Sequence, residues 1–386
     1  MKDTATTQRG QVALATTAHL INDTYQGFIA VLLPFFVTRW GLSLAEAGGV
    51  VTAFLAVTYF AQPVFGWVSD RAGARYLLAA GPLVTACFTG TLGVVPSFGW
   101  LFPWVIVSGL GAAAFHPPAA TLVKRAGGGR TALSTSVFLM SGYLGLALGP
   151  LEILAIVTRF GLESSYLSIL PGAVISVLLF KYGAAPKGDG EGGSGPPPLS
   201  ELTRAWRSLS GLWTIVVLRN LTNGVLYSFL PLLLKERGFS VWAGGAALST
   251  FLAVGAFGGV LGGYLGDRWD RRGIIIFTLT LATALLGVFV GTGGPVSMAA
   301  LFLGGCLLMT SGPINLVMAQ QMFPAHAGLL ASLMMGFAYG VGSLAIVGVG
   351  AVADRLGMPV TMAGAIAVPL IGAWLAVGLK DPNRPR

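Results

Sequence analysis

His19 and Asp23 stand four residues apart inside a long apolar stretch near the N-terminus. On a helix this spacing puts an imidazole and a carboxylate on one face, one turn apart. A carboxylate in lipid costs about 2.5–3.5 kcal/mol on insertion scales, so Asp23 is expected to face a protein-lined cavity. An imidazole beside a carboxylate can titrate near physiological pH, which makes the pair a candidate for holding and releasing a proton. The competing reading is a structural carboxylate held by Asn22, Tyr25 or a neighbouring helix. His116 and Glu152, in two further apolar stretches, are the other candidate proton carriers. His116 precedes Pro117 and Pro118, and two prolines leave carbonyls unpaired at membrane depth, tolerable only where protein or water satisfies them. A helix break lining a cavity is one expectation there; an ordinary kink is the other. Pro313 follows Pro117 by 196 residues, so this feature is expected to be duplicated.

Arg219 is the one basic residue well inside an apolar stretch, with Asn220 and Asn223 nearby. Such an arginine is costly and pairs with an acid or an anionic solute, unless it snorkels to the surface. Arg219 and Asn223 are therefore candidates to meet a polar or anionic group. Asn22, Tyr25, Gln26, Tyr143 and Asn315 are candidate substrate contacts, with packing as the alternative for each. Two histidines and a carboxylate are a permissible metal set. Only His19 and Asp23 have local spacing, however, and no metal or cofactor is expected.

The elements that must position these groups follow from composition. Of 386 residues, 54% are hydrophobic and only 10% are charged. The mean hydropathy is +0.78. Soluble domains carry about 25% charged residues, so this chain is expected to be solvated by lipid. Twelve apolar stretches are long enough to span a bilayer, the first at roughly 12–38 and the last at roughly 358–379. The first is too long and too polar for a cleaved signal peptide and reads as a retained span. The 56 glycines suit close helix approach in lipid. Cys87 and Cys306 both lie in apolar stretches and read as packing residues.

The net charge is +9, without the basic stripe and interleaved aromatics of a nucleic-acid surface. If the N-terminus is cytoplasmic, 17 of the 23 lysines and arginines fall in cytoplasmic segments and five outside. That bias puts both termini in the cytoplasm. Residues 183–200 are rich in Gly and Pro and read as a flexible cytoplasmic linker. It separates residues 1–182 from 201–386, each with six spans.

The two halves repeat. Gly66, Asp70, Arg71 and Arg75 reappear 197 residues later as Gly263, Asp267, Arg268 and Arg272. The same offset carries Pro34 onto Pro231 and Gly41 onto Gly238. A duplicated half in an apolar chain points to two pseudo-symmetric six-helix bundles. Arg71 and Arg75 can neutralise Asp70 at a helix end, and Gly66 would permit close approach one turn earlier. Breaking such a cluster would bias two conformations, a gate; mere anchoring of helix ends is the alternative. The offset also sets Asp23 against Asn220 and Asn22 against Arg219, so an acid in one half is expected to oppose an Arg–Asn pair in the other.

Six plus six spans with the Gly-x-x-x-Asp-Arg loop after spans 2 and 8 resemble the major facilitator superfamily. The stretch Gly142 to Pro150, with Gly145 and Gly149 on one face and Pro150 to kink it, resembles the motif of that family's antiporter branch. His19 to Gln26 with Leu32-Leu33-Pro34, Gly109 to Pro117, and Ser136-Val137-Phe138 resemble the fosmidomycin-resistance transporters. This chain departs from them with Pro118 and Thr121 after the His-Pro pair and with Glu152 after Pro150. The resemblance implies an all-α integral membrane fold and a proton-driven exporter of small toxic compounds, including phosphonates, working by rocking of the two bundles. Asp23, His19, His116 and Glu152 would handle protons, and Gly66, Asp70, Arg71, Arg75, Gly145, Gly149, Pro150, Gly263, Asp267, Arg268 and Arg272 would serve gating. A proton-coupled importer of the same fold is the alternative, and a non-transporting sensor a further one. An enzyme is not expected, since no nucleophile–base pair stands at helical spacing. The expected partners are a small-molecule substrate, protons and the lipid bilayer of the inner membrane, with no nucleic acid and a monomeric state.

Overall fold

The computed structural model describes residues 2–71, 74–128, 131–184, 199–322, 330 and 332–379. The chain is all-α. Twelve segments are long and apolar enough to cross a membrane: Gln8–Trp40, Leu44–Ser69, Ala74–Val94, Phe98–Ala126, Leu133–Phe160, Leu162–Tyr182, Leu209–Glu236, Val241–Arg268, Arg271–Gly291, Gly294–Met322, Ser332–Leu356 and Met358–Val377, here spans 1 to 12. Helices are the outcome because a segment in lipid must satisfy its backbone groups internally. Turns between spans use left-handed glycines, since other residues rarely adopt that conformation. Gly41 (φ 64°) follows span 1 and Gly238 (φ 83°) follows span 7, so the repeat of 197 residues extends to the backbone.

The proline sites turn out differently from expectation. Pro117 and Pro118 lie within one uninterrupted helix, Phe98–Ala126, and Pro313 lies within Gly294–Met322. The break expected at His116 is absent. Neighbouring helices and hydroxyl side chains sustain a membrane helix through prolines. Span 2 is interrupted instead, between Phe60 and Gln62, as are span 3 between Gly90 and Leu92 and span 12 between Ala367 and Pro369.

Two compact units are present. One comprises Met1–Leu42, Ala53–Gly192 and Leu234–Ser249; the other comprises Ser43–Thr52, Gly193–Leu233 and Thr250–Arg386. Each takes in a short piece of the opposite sequence half. In the first unit, Lys235 Nζ donates to Thr38 Oγ1 at 2.7 Å and to the Pro34 carbonyl at 3.1 Å. In the second, Asp354 accepts from the Leu44 and Ala45 N–H groups at 2.7 and 2.9 Å, capping the first turn of span 2. Helix N-termini favour such a carboxylate. Most of the linker, residues 185–198, lies outside the described residues.

The duplicated loops hold their arginines by stacking. Arg71 sits over the Trp67 ring at 4.2 Å and Arg268 over the Tyr264 ring at 3.8 Å, both four residues back. Arg75 donates to the Phe180 carbonyl at 2.6 Å. The Asp70 side chain lies outside the described residues; Asp267 is exposed and Arg272 half-buried. Arg271, not singled out from the sequence, is the buried arginine, donating to the Gly266 carbonyl at 2.9 Å and to Gln321 Oε1. The close approach expected at Gly66 is not found. A Cβ there would meet Pro117 only at 3.8 Å, and one on Gly263 would meet nothing within 4 Å. Helical periodicity turns the neighbouring Gly262 toward the Thr310 backbone instead.

Candidate functional site

In the first unit, Asp23 gathers four side chains. His19 Nε2 stands 3.2 Å from Oδ2 and His116 Nε2 stands 3.6 Å from Oδ1. Gln26 Nε2 and Asn22 Nδ2 donate to Oδ1 at 2.8 and 3.1 Å. The i, i+3 and i, i+4 spacings on span 1 align His19, Gln26 and Asp23, while span 4 brings His116 across from nearly 100 residues away. His19 is 5% exposed. Its ring stacks on Phe138 at 4.1 Å and meets the His116 ring edge-on at 5.2 Å.

The hydrogen-bond pattern fixes what this cluster can do. His19 Nδ1 lies 2.7 Å from the Phe138 carbonyl oxygen. A carbonyl only accepts, so Nδ1 carries the hydrogen. A neutral His19 then presents an Nε2 lone pair to a carboxylate oxygen, two acceptors in contact. A proton on Nε2 turns that contact into a charge-assisted bond. The donor atoms of His19, Asp23 and His116 all lie within 4.8 Å of one another, so the three also form a set with metal-ligand composition. The sequence spacing joined only two of them.

Span 5 closes over the cluster through its glycines. A Cβ on Gly142 would stand 2.6 Å from His19 Nε2 and 2.8 Å from Asp23 Oδ2. One on Gly145 would collide with the Leu20 carbonyl, and one on Gly149 with the Thr24 carbonyl; Pro150 packs against Gly27. The Gly-rich stretch therefore serves intimate packing of span 5 on span 1. Toward the N-terminal end of span 1, a cavity of about 550 Å³ opens, lined by Arg9, Val12, Thr16, Ala126, Ser134 and Val137. It lies about one turn from His19.

Other candidates are placed elsewhere. The Tyr25 hydroxyl donates to the Ser168 carbonyl at 2.6 Å and accepts from Gly172 N at 2.9 Å, fastening span 1 to the span 6 region. It is 1% exposed, and both of these bonds run to backbone groups of the protein. Tyr143 is 43% exposed. Glu152 is half-buried and ten residues beyond Gly142, about 15 Å along the helix at 1.5 Å per residue, so it does not join the Asp23 cluster.

The second unit has its own buried charge. Arg219 is 3% exposed and does not snorkel. It donates from Nη2 to the Tyr339 hydroxyl at 2.8 Å and from Nη1 to Met309 Sδ at 3.4 Å. Asn220 Nδ2 donates to the Tyr339 carbonyl at 3.1 Å. Asn315 is fully buried, and Asn223 half-buried. Among the described residues no ion pair joins Arg219 to an acid. Tyr339 carries no signal in the sequence except its distance from Gly142, which is the repeat offset of 197.

The profile of the Major Facilitator Superfamily matches residues 15–347. The chain belongs to that superfamily. It is a multi-pass membrane transporter of a small solute and not an enzyme. An uncharacterized transporter of this superfamily type, YfnC of Bacillus subtilis, is 28% identical over 92% of this chain and 89% of its own length. The fosmidomycin resistance protein of Escherichia coli K12 is 26% identical over 98% and 94%. Among solved structures, a bacterial homolog of the human lysosomal transporter Spinster, in an inward-facing unoccupied conformation, superposes with a TM-score of 0.73 at 16% identity, covering 96% of both chains. The nucleoside transporter NupG superposes with a TM-score of 0.75 at 13% identity, over 95% of this chain and 97% of its own. At those identities the superfamily fold is what is shared.

Proposed function

We propose that this transporter exchanges protons for a small organic compound and exports it across the inner membrane, with both termini in the cytoplasm. The observation that carries the reading is the buried His19–Asp23–His116 cluster. Its hydrogen bonds are complete only when a cation, most simply a proton, lies between imidazole and carboxylate. Buried ionisable groups in membrane helices mark ion and proton pathways. Alternating access would rock residues 1–182 against 201–386, so that the cluster takes its proton on one side and yields it on the other. Gly145, Gly149 and Pro150 hold span 5 against span 1 during that motion, and the duplicated Asp-Arg loops act at the gate. Likeness to the fosmidomycin resistance protein supports efflux as the direction, and the 17-to-5 distribution of basic residues supports the orientation.

The test is solute uptake into everted vesicles with an imposed pH gradient, using compounds found by a growth screen of an expressing strain. Asp23→Asn is expected to abolish the dependence on the gradient while the protein still reaches the membrane. Wild-type, gradient-driven rates in that variant would overturn the proton assignment. Greater sensitivity of the expressing strain, with gradient-driven uptake in whole cells, would instead mark an importer.

A further inference from the structure

We infer that Arg219, with Tyr339, Ser311 and Asn315, forms a subsite for an oxyanion, the carboxylate, phosphate or phosphonate group of the transported solute. This rests on the transport reading above and names the chemistry of the solute's charged end. A guanidinium offers five N–H donors in a planar fork. Here Tyr339 and Met309 receive two of them, and neither partner is charged. Arg219 Nε is buried with no hydrogen-bond partner. Burying a charge without a counter-charge is costly, and the usual remedy is an acid from the same protein. No such acid pairs with Arg219 among the described residues.

The surroundings are polar in the same unsatisfied way. Asn315 is fully buried with both Nδ2 and Oδ1 unpartnered, and Ser311 Oγ is buried and unpartnered. Both lie on span 10 beside Gly312. A Cβ on Gly312 would stand 3.2 Å from Arg219 Nη1, so that glycine is where span 10 meets the guanidinium. Residues four apart share a helix face, so Ser311 and Asn315 lie one turn apart on the face of span 10 that adjoins Gly312. Buried, unpartnered donors on Arg219, Ser311 and Asn315 thus stand at, or within one turn of, the place where span 10 meets the guanidinium. Two parallel N–H groups match two oxygens on one carbon or phosphorus, which selects an oxyanion over a halide.

The experiment is calorimetric titration of the purified full chain with phenylphosphonate, benzoate and uncharged benzamide. The wild type is expected to bind both anions at least about tenfold more tightly than benzamide, the ratio given by about 1.4 kcal/mol. Arg219→Gln should erase that preference, and Tyr339→Phe, which keeps the charge, should weaken anion binding a few-fold. Thermal unfolding checks that each variant is folded; if Arg219→Gln fails to fold, Tyr339→Phe and Asn315→Ala decide. Equal binding of benzamide and the anions by the wild type, or an undiminished preference in folded Arg219→Gln, overturns the proposal. So does an undiminished preference in both substitutes where Arg219→Gln cannot be used. Asp23→Asn should keep the anion preference. If Asp23→Asn also keeps gradient-driven transport, the proton reading fails while the subsite stands.

Discussion

Asn22 and Asp23 of span 1 and Arg219 and Asn220 of span 7 occupy equivalent places in the duplicated halves, yet their surroundings are opposites. The same offset of 197 residues carries Gly142 onto Tyr339 and Gly145 onto Gly342, and an offset of 196 carries His116 onto Gly312. In the first unit, span 4 supplies a bulky imidazole and span 5 a glycine. In the second, span 10 supplies the glycine and span 11 a bulky tyrosine. Bulk has changed helices, and charge has changed sign. Asp23 is met by histidines that can balance it from within its own unit. Arg219 is met only by a hydroxyl and a sulfur. The difference teaches that the first site balances its charge within its own unit, whereas Arg219 has only neutral partners among the described residues.

The largest expected effect tests whether the two sites are independent. If Asp23 and Arg219 neutralised each other directly, removing both charges would rescue transport lost on removing one. Partnering within each unit predicts no rescue. Asp23→Asn and Arg219→Gln should each lower gradient-driven transport by about tenfold or more, equivalent to about 1.4 kcal/mol, and the double variant should be no better than the worse single. A double variant that outperforms either single in vesicle uptake would restore the ion pair that the sequence suggested and break the contrast drawn here. Coupling of that kind is what a double-mutant cycle isolates.

A smaller effect separates the two glycines that carry the packing. A Cβ on Gly145 would collide with the Leu20 carbonyl, which belongs to the rigid backbone of span 1. A Cβ on Gly342 would meet the Asn220 side-chain nitrogen at 2.9 Å and the Val217 carbonyl at 3.2 Å. A side chain gives way more easily than backbone. Gly145→Ala is therefore expected to cost about 1–3 kcal/mol of stability, the usual range for overpacking, and Gly342→Ala less. Thermal unfolding in detergent reads both, and the reverse order would show that the tighter seam is in the second unit.

Much of this was legible in the sequence, and the reasons are physical. Spans were legible because lipid forces long apolar helices, and the repeat was legible because loops at fixed offset keep Gly, Asp and Arg. His19 and Asp23 paired as read, since helical spacing is local. His116 could not be joined to them by any spacing, because its approach depends on how span 4 packs against span 1. The surroundings of Tyr25 were illegible for the same reason: whether a span 1 tyrosine faces a cavity or a neighbouring helix is set by packing, and here the Ser168 carbonyl and Gly172 N–H engage its hydroxyl. Pro117 looked like a break because the rule for isolated helices ignores the neighbours that sustain a buried one. Tyr339 was invisible because an aromatic in an apolar stretch is ordinarily packing, and only the offset to Gly142 distinguishes it.

The smallest expected effect concerns Gly263, the most conspicuous repeated glycine after Gly66. The sequence suggested close helix approach at Gly66, and the repeat puts Gly263 at the matching place. In the structure a Cβ on Gly263 meets nothing within 4 Å, whereas one on Gly262 would run into the Thr310 carbonyl. Gly263→Ala is therefore expected to change stability by no more than about 0.5 kcal/mol, as at an ordinary exposed site. Gly262→Ala should cost about 1–3 kcal/mol, because the backbone of span 10 must withdraw. Unfolding curves for the two variants, side by side, read the difference, and vesicle uptake provides the second readout. Normal stability with lost transport in Gly263→Ala would mean that Gly263 meets its neighbour only in another conformation, and the gate would then turn on it. Normal stability with normal transport leaves gating to the arginines of the loop, of which Arg271, bonded to Gly266 and Gln321, is the most firmly held in the second copy.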